Sequence, residues 1–123
     1  MIVTRVLHVS VNVEGELGPN REFYRRLFGL DTKVRPEIPG IAGHWFAVGD
    51  AELHLVDAPA TDRTIRPAGN HFCVAVDDLD AAIEELEREG VEYVRGAQGA
   101  VVQIWIADPA GNTIELQQDR ALL

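Results

Sequence analysis

Two stretches of this 123-residue chain share one design, and their spacing constrains the fold more than any other feature. "LHVSVNV" (7–13) and "NHFCVAV" (70–76) both alternate apolar with smaller or polar residues, as strands do, and each has histidine in second place. An amphipathic segment ending in glycine follows both. In "NREFYRRLFG" (20–29), Asn20 is the expected N-cap, Phe23, Leu27 and Phe28 form the apolar side, and Gly29 is the stop. In "DDLDAAIEELEREG" (77–90), an aspartate caps, Leu79, Ala82, Ile83 and Leu86 form the apolar side, and Gly90 is the stop. Each helix leads to another strand, "LDTKVRP" (30–36) or "VEYVRG" (91–96). Two more strands then flank a turn bearing Gly and Asp: "HWFAV" and "ELHLV" in the first half, "QIWIA" and "TIELQ" in the second.

The landmarks keep step. His8 to His71 is 63 residues, Gly29 to Gly90 is 61, Trp45 to Trp105 is 60, and His54 to Glu115 is 61. The expected fold is therefore α+β, one domain over 1–123 made of two βαβββ modules at 1–58 and 67–123. Two copies cannot build a solenoid, so modules paired edge to edge are expected.

Strand geometry then sorts the side chains, because residues two apart share a face. His8 falls with Ser10 and Asn12, while Leu7, Val9 and Val11 are expected to enter a helix-covered core. His71 falls with Cys73 and Ala75, opposite Phe72, Val74 and Val76; Glu115 falls with Thr113 and Gln117, opposite Ile114 and Leu116. His54 faces away from its neighbours Leu53 and Leu55. If the modules curve their sheets together, these four polar residues line one cleft. Imidazoles and a carboxylate converging there suit a divalent first-row metal, Zn, Ni, Fe or Mn. A lone strand histidine is ordinarily a core residue; the repeat favours ligation.

Composition removes other functions. The net charge is −9 and the basic residues form no run, which argues against nucleic acid and anionic membranes as partners. No apolar run approaches a membrane span, and "MIVTR" does not open a secretory signal. The single cysteine, Cys73, cannot form an internal disulfide and fits a reducing compartment, so a cytoplasmic protein is expected.

From "LHVSVNV" to "IELQQ" the chain resembles the vicinal oxygen chelate superfamily, the group of glyoxalase I, extradiol dioxygenases, fosfomycin-resistance enzymes, methylmalonyl-CoA epimerase and bleomycin-binding proteins. "FYRRLFGL", "NHFCVAVDDLDAAIEELEREGVEY" and "DPAGNTIEL" carry the resemblance. It implies two βαβββ modules forming a curved, partly open mixed sheet around a metal cleft, commonly in a homodimer. It also implies His8, His54, His71 and Glu115 as metal ligands, with Glu115 and His54 as the catalytic pair. The activity implied first is that of a metal-dependent glyoxalase-like lyase or isomerase, acting on a small molecule whose adjacent oxygens chelate the metal. An iron dioxygenase using the His8, His71, Glu115 triad is the alternative enzyme, and an antibiotic-binding resistance protein is the non-catalytic one. Metal-dependent glyoxalase I usually has a second carboxylate where this chain has His54, which leaves His54 as a ligand, a supporting donor or a general base.

Other residues have plainer readings. His44 has no repeat counterpart and is expected at the surface or in a pocket wall. Cys73 reads as a small hydrophobe. Trp45, Phe46 and Trp105 read as core or as walls of an apolar pocket. Arg63 and Arg66, in the connection between modules, are solvated loop charges or contacts for an anionic substrate.

Overall fold

Strands far apart in sequence pair first-to-last in each half of the chain. A computed structural model describes residues 2, 4–60 and 64–122, and the chain divides into two units, Met1–Asp62 and Arg63–Leu123. The first unit runs β1 (His8–Asn12), α1 (Leu17–Leu27), β2 (Thr32–Lys33), β3 (Gly43–Val48) and β4 (Ala51–Val56). The second runs β5 (His71–Val76), α2 (Leu79–Arg88), β6 (Tyr93–Gln98), β7 (Val101–Ala107) and β8 (Thr113–Gln118), with a 3-10 turn at Arg120–Leu122. Each unit therefore has the expected βαβββ order, and the class is α+β. Arg63 lies outside the described residues.

The sheets are mixed and ordered alike, β1-β4-β3-β2 and β5-β8-β7-β6. In each, the outer pair (β1 with β4, β5 with β8) is parallel and the other pairs are antiparallel. A parallel pair needs a crossover, and the helix supplies part of it. In the first unit Val11, Leu53, Leu55 and Phe46 are buried on the face that Tyr24 of α1 covers. In the second, Ile104, Ile106, Ile114 and Leu116 share one face and are buried with Leu79 and Leu86 of α2. Burying each such side chain contributes about 1.5–3 kcal/mol, which pins the register and leaves the opposite face to polar residues.

The helix ends differ in legibility. Asp78 caps α2 as expected, its side chain accepting from Ala81 N at 3.0 Å. Asn20 does not cap α1. The helix begins four residues earlier, with Glu16 at the cap, because Pro19 sits in the first turn, where a missing N–H costs nothing. Asn20 is fully buried instead, its Nδ2 donating to the Glu16 carbonyl at 2.7 Å.

Two strand expectations also change. Leu7 is 61% exposed, since β1 begins at His8 and residue 7 precedes the paired rungs. "LDTKVRP" contributes only Thr32 and Lys33 to the sheet. Pro36 offers no N–H, and the Arg35 guanidinium bonds the Ile41 carbonyl at 2.8 Å within the following loop.

Gly43 opens β3 where a Cβ would run into the Leu55 carbonyl oxygen. Backbone cannot turn aside as a side chain can. Gly43→Ala is therefore expected to destabilise the chain by about 1–3 kcal/mol, read as a lower urea midpoint at unchanged slope.

Candidate functional site

The first unit's polar face carries His8, Trp45, Glu52, His54 and Lys33. Alternation puts Glu52 and His54 together on β4; across the pairing His8 lies opposite Glu52, Ser10 opposite His54, and Trp45 opposite His54. The His54 imidazole is held as a layer. Trp45 stacks on it at 4.0 Å between ring centroids and 2° between planes, and His8 stacks at 4.1 Å and 14°. Trp45 and His8 come from the strands on either side of β4, so they cover opposite faces of the ring. At its edge, His54 Nε2 lies 2.8 Å from Glu52 Oε1, while Lys33 Nζ lies 2.9 Å from Glu52 Oε2. The hydrogen bonds from His54 and Lys33 hold the Glu52 carboxyl below the usual carboxylate range.

In the second unit the matching position is a carboxylate. Glu115 is 5% exposed, and donors surround it. His71 Nε2 lies 3.1 Å and Trp105 Nε1 3.2 Å from Oε1. Oε2 takes Gln117 Nε2 at 2.5 Å, Gln103 Nε2 at 3.3 Å and the Cys73 thiol at 3.6 Å. Burial raises its pKa, but the bonds from Gln117, Gln103, Cys73 and His71 outweigh that and lower it below the ordinary value. Glu115 is a fixed anion.

His71 is anchored at its other end, with Nδ1 2.9 Å from the Gly69 carbonyl oxygen. A carbonyl oxygen only accepts, so Nδ1 donates to Gly69, while Nε2 points at Glu115. This is the usual orientation of a ligating imidazole, one nitrogen tied to backbone and the other free for a metal. A nitrogen and a carboxylate oxygen from adjacent strands thus face a common point, and the donor set fits Zn, Ni, Fe or Mn.

The four candidates form two pairs, His8 with His54 and His71 with Glu115. Among the described residues no group of three or more His, Cys, Asp or Glu converges as a ready metal cluster. Trp45 and Trp105, equivalent in the repeat, do different work: one stacks on its partner and the other donates to it. Phe46 is fully buried on the helix side and walls no polar-face pocket. His44 is on that same side, against Phe46, with Nε2 2.9 Å from Thr32 Oγ1; burial and the nearby Arg21 lower its pKa. It faces away from His54.

The model of the Glyoxalase/Bleomycin resistance protein/Dioxygenase superfamily matches residues 5–116. The chain belongs to that superfamily. Two curated relatives, the lactoylglutathione lyases of Neisseria meningitidis serogroup A (strain Z2491) and serogroup B (strain MC58), are each 29% identical over 128 residues, covering 95% of this chain and 92% of theirs. A glyoxalase-family protein of Bacillus anthracis superposes with a TM-score of 0.84 at 26% identity, over 98% of both chains. The lactoylglutathione lyase of Agrobacterium tumefaciens gives 0.74 at 24% identity, covering 97% of this chain and 96% of its own, a likeness of fold.

Within this glyoxalase-superfamily chain, sequence reasoning passed over Glu52, Gln103 and Lys33. The first two were findable, because each lies two residues before a singled-out residue, His54 or Trp105, and shares its face. Lys33 was not, since its contact depends on where β2 ends. Arg66 is exposed; its backbone N donates to Thr113 Oγ1 at 2.9 Å, which ties the inter-module segment to the rung of His71. No helix among the described residues is long and apolar enough to cross a membrane.

Cys73, expected as a small buried hydrophobe, is instead exposed on the polar face beside Glu115, and it is no nucleophile. Partial burial, the Glu115 charge and their hydrogen bond push its pKa up to about 11. The proton therefore stays on, and stability from this contact is lost only as pH rises from the ordinary thiol value through about 11. Alkylation by iodoacetamide at pH 8 is expected to run ~100-fold slower than for free cysteine, as thiolate fraction dictates. Glu115→Gln should speed it.

Proposed function

We propose that this protein is a metal-dependent glyoxalase-like lyase or isomerase acting on a small molecule with adjacent oxygens, such as the hemithioacetal of a 2-oxoaldehyde and a thiol. The observation that carries this reading is the His71–Glu115 pair, an anchored imidazole and a caged anionic carboxylate turned toward each other. The repeat-equivalent His8 and His54, and the 29% identity to two lactoylglutathione lyases, support it.

In this reading His8, His71 and Glu115 hold the metal. His54, the fourth residue of the expected set, is the group that moves the proton. A bound divalent ion would supply Lewis acidity toward the two substrate oxygens. Glu115, held as an anion by the donors around it, serves as a ligand. His54 takes the proton from the carbon bearing sulfur and hydroxyl and returns it to the neighbouring carbonyl carbon. The product is a 2-hydroxyacyl thioester, with no net oxidation.

Protein loaded with Zn, Ni, Fe or Mn in turn should convert the hemithioacetal of methylglyoxal and glutathione to the thioester, followed by its ultraviolet absorbance. Oxygen uptake with a catechol by the iron form, without thioester formation, would overturn the reading in favour of a dioxygenase. A homodimer belongs to the same proposal, since edge strands and exposed Val6 and Leu7 suit a second copy. Light scattering should give about 27 kDa, twice the 13.5 kDa chain; a monomer at micromolar concentration would contradict it.

A further inference from the structure

We infer that Glu52 is a positioning residue for His54, holding it in the tautomer whose lone pair is on Nδ1, so that His54 acts through Nδ1. The inference rests on the proposed role of His54 for its catalytic meaning, but its geometry stands apart from that role.

Glu52 is ion-paired to the Lys33 ammonium through Oε2, and a carboxylate only accepts. The 2.8 Å contact between His54 Nε2 and Glu52 Oε1 therefore requires the proton on Nε2. In the neutral ring the other nitrogen must then carry the lone pair, and Nδ1 makes no hydrogen bond among the described residues. Stacking removes the remaining freedom. With Trp45 on one face and His8 on the other, the ring cannot flip its edge without breaking both contacts. Lys33 holds the far oxygen of Glu52 at 2.9 Å, so the carboxylate is itself oriented. The result is a Lys33–Glu52–His54 relay of fixed direction, all on the polar face of the first sheet.

Histidine-labelled, metal-free protein examined by 15N NMR tests this without reference to turnover. In wild type, neutral His54 should show a protonated Nε2, an unprotonated Nδ1 and a ring N–H signal protected from rapid exchange. Glu52→Ala should lose the protected signal, and Glu52→Gln, which keeps an acceptor oxygen, should retain it. In the loaded enzyme Glu52→Ala should lower kcat by ~10–100-fold, the usual effect of losing an outer orienting partner, with KM little changed and with Glu52→Gln intermediate. A proton on Nδ1 in wild type, or a protected signal that survives Glu52→Ala, would overturn the inference. An intact NMR signature in a protein that turns over no hemithioacetal would instead support the geometry and sink the proposed activity.

Discussion

Glu115→Ala is expected to empty the metal site and weaken the second unit in one step. Bound metal, measured by elemental analysis after reconstitution, should fall from about one ion per chain to near zero. The metal-free variant should also lose about 1–3 kcal/mol, because the buried Trp105 Nε1 is left without its acceptor and Gln103 and Gln117 lose theirs. The pH dependence has a definite sign. The Glu115 pKa is lowered on folding, so its contribution is present above the ordinary carboxylate value and disappears as pH falls through the lowered one. Wild type should therefore lose stability toward acid faster than Glu115→Ala does. Equal metal content in the two proteins would remove Glu115 from the ligand set.

His54→Ala is expected to separate chemistry from metal binding. As the proton carrier, His54 should be worth about 10²–10⁴ in kcat. Its removal leaves His8, His71 and Glu115 in place, so metal content should hold close to one ion per chain. Loss of metal together with activity would make His54 a fourth ligand, as the resemblance implied. Glu52 would then orient a ligand and not a proton carrier. His54→Glu sharpens the comparison by placing a carboxylate where metal-dependent glyoxalase I usually has one, though beside Glu52 the two anions would repel across one strand face.

How much of this was legible depended on whether a signal was local. The βαβββ order follows from period-2 and helical patterning within short windows. The Asp78 cap and Gly90 stop are equally local and appear as read. Asn20 misled because a good capping residue also tolerates a helix interior when its side chain can bond back to the i−4 carbonyl. Leu7 misled because alternation gives the face of a residue but not the rung where pairing begins. The same limit governs the site. Alternation correctly places His8, His54, His71 and Glu115 on polar faces, yet it is silent on which nitrogen of each imidazole is free. That information resides in side-chain contacts such as His54 to Glu52 and His71 to the Gly69 carbonyl, each made to a residue two positions away in the chain. The donors around Glu115 were partly legible, since alternation puts Gln117 on its face and Gln103 on that of Trp105, but their bonds to Glu115 depend on how β7 and β8 pair.

The metal assignment is tested most directly by anomalous scattering from crystals of the zinc- or nickel-loaded protein, measured on both sides of the metal's absorption edge. The account predicts one peak per chain, about 2.0–2.2 Å from His71 Nε2 and from Glu115 Oε1, with a His8 nitrogen completing the protein ligands and Glu52 still bound to His54 Nε2. A fully loaded crystal with no peak between His71 and Glu115, or with its peak on Glu52, would contradict it.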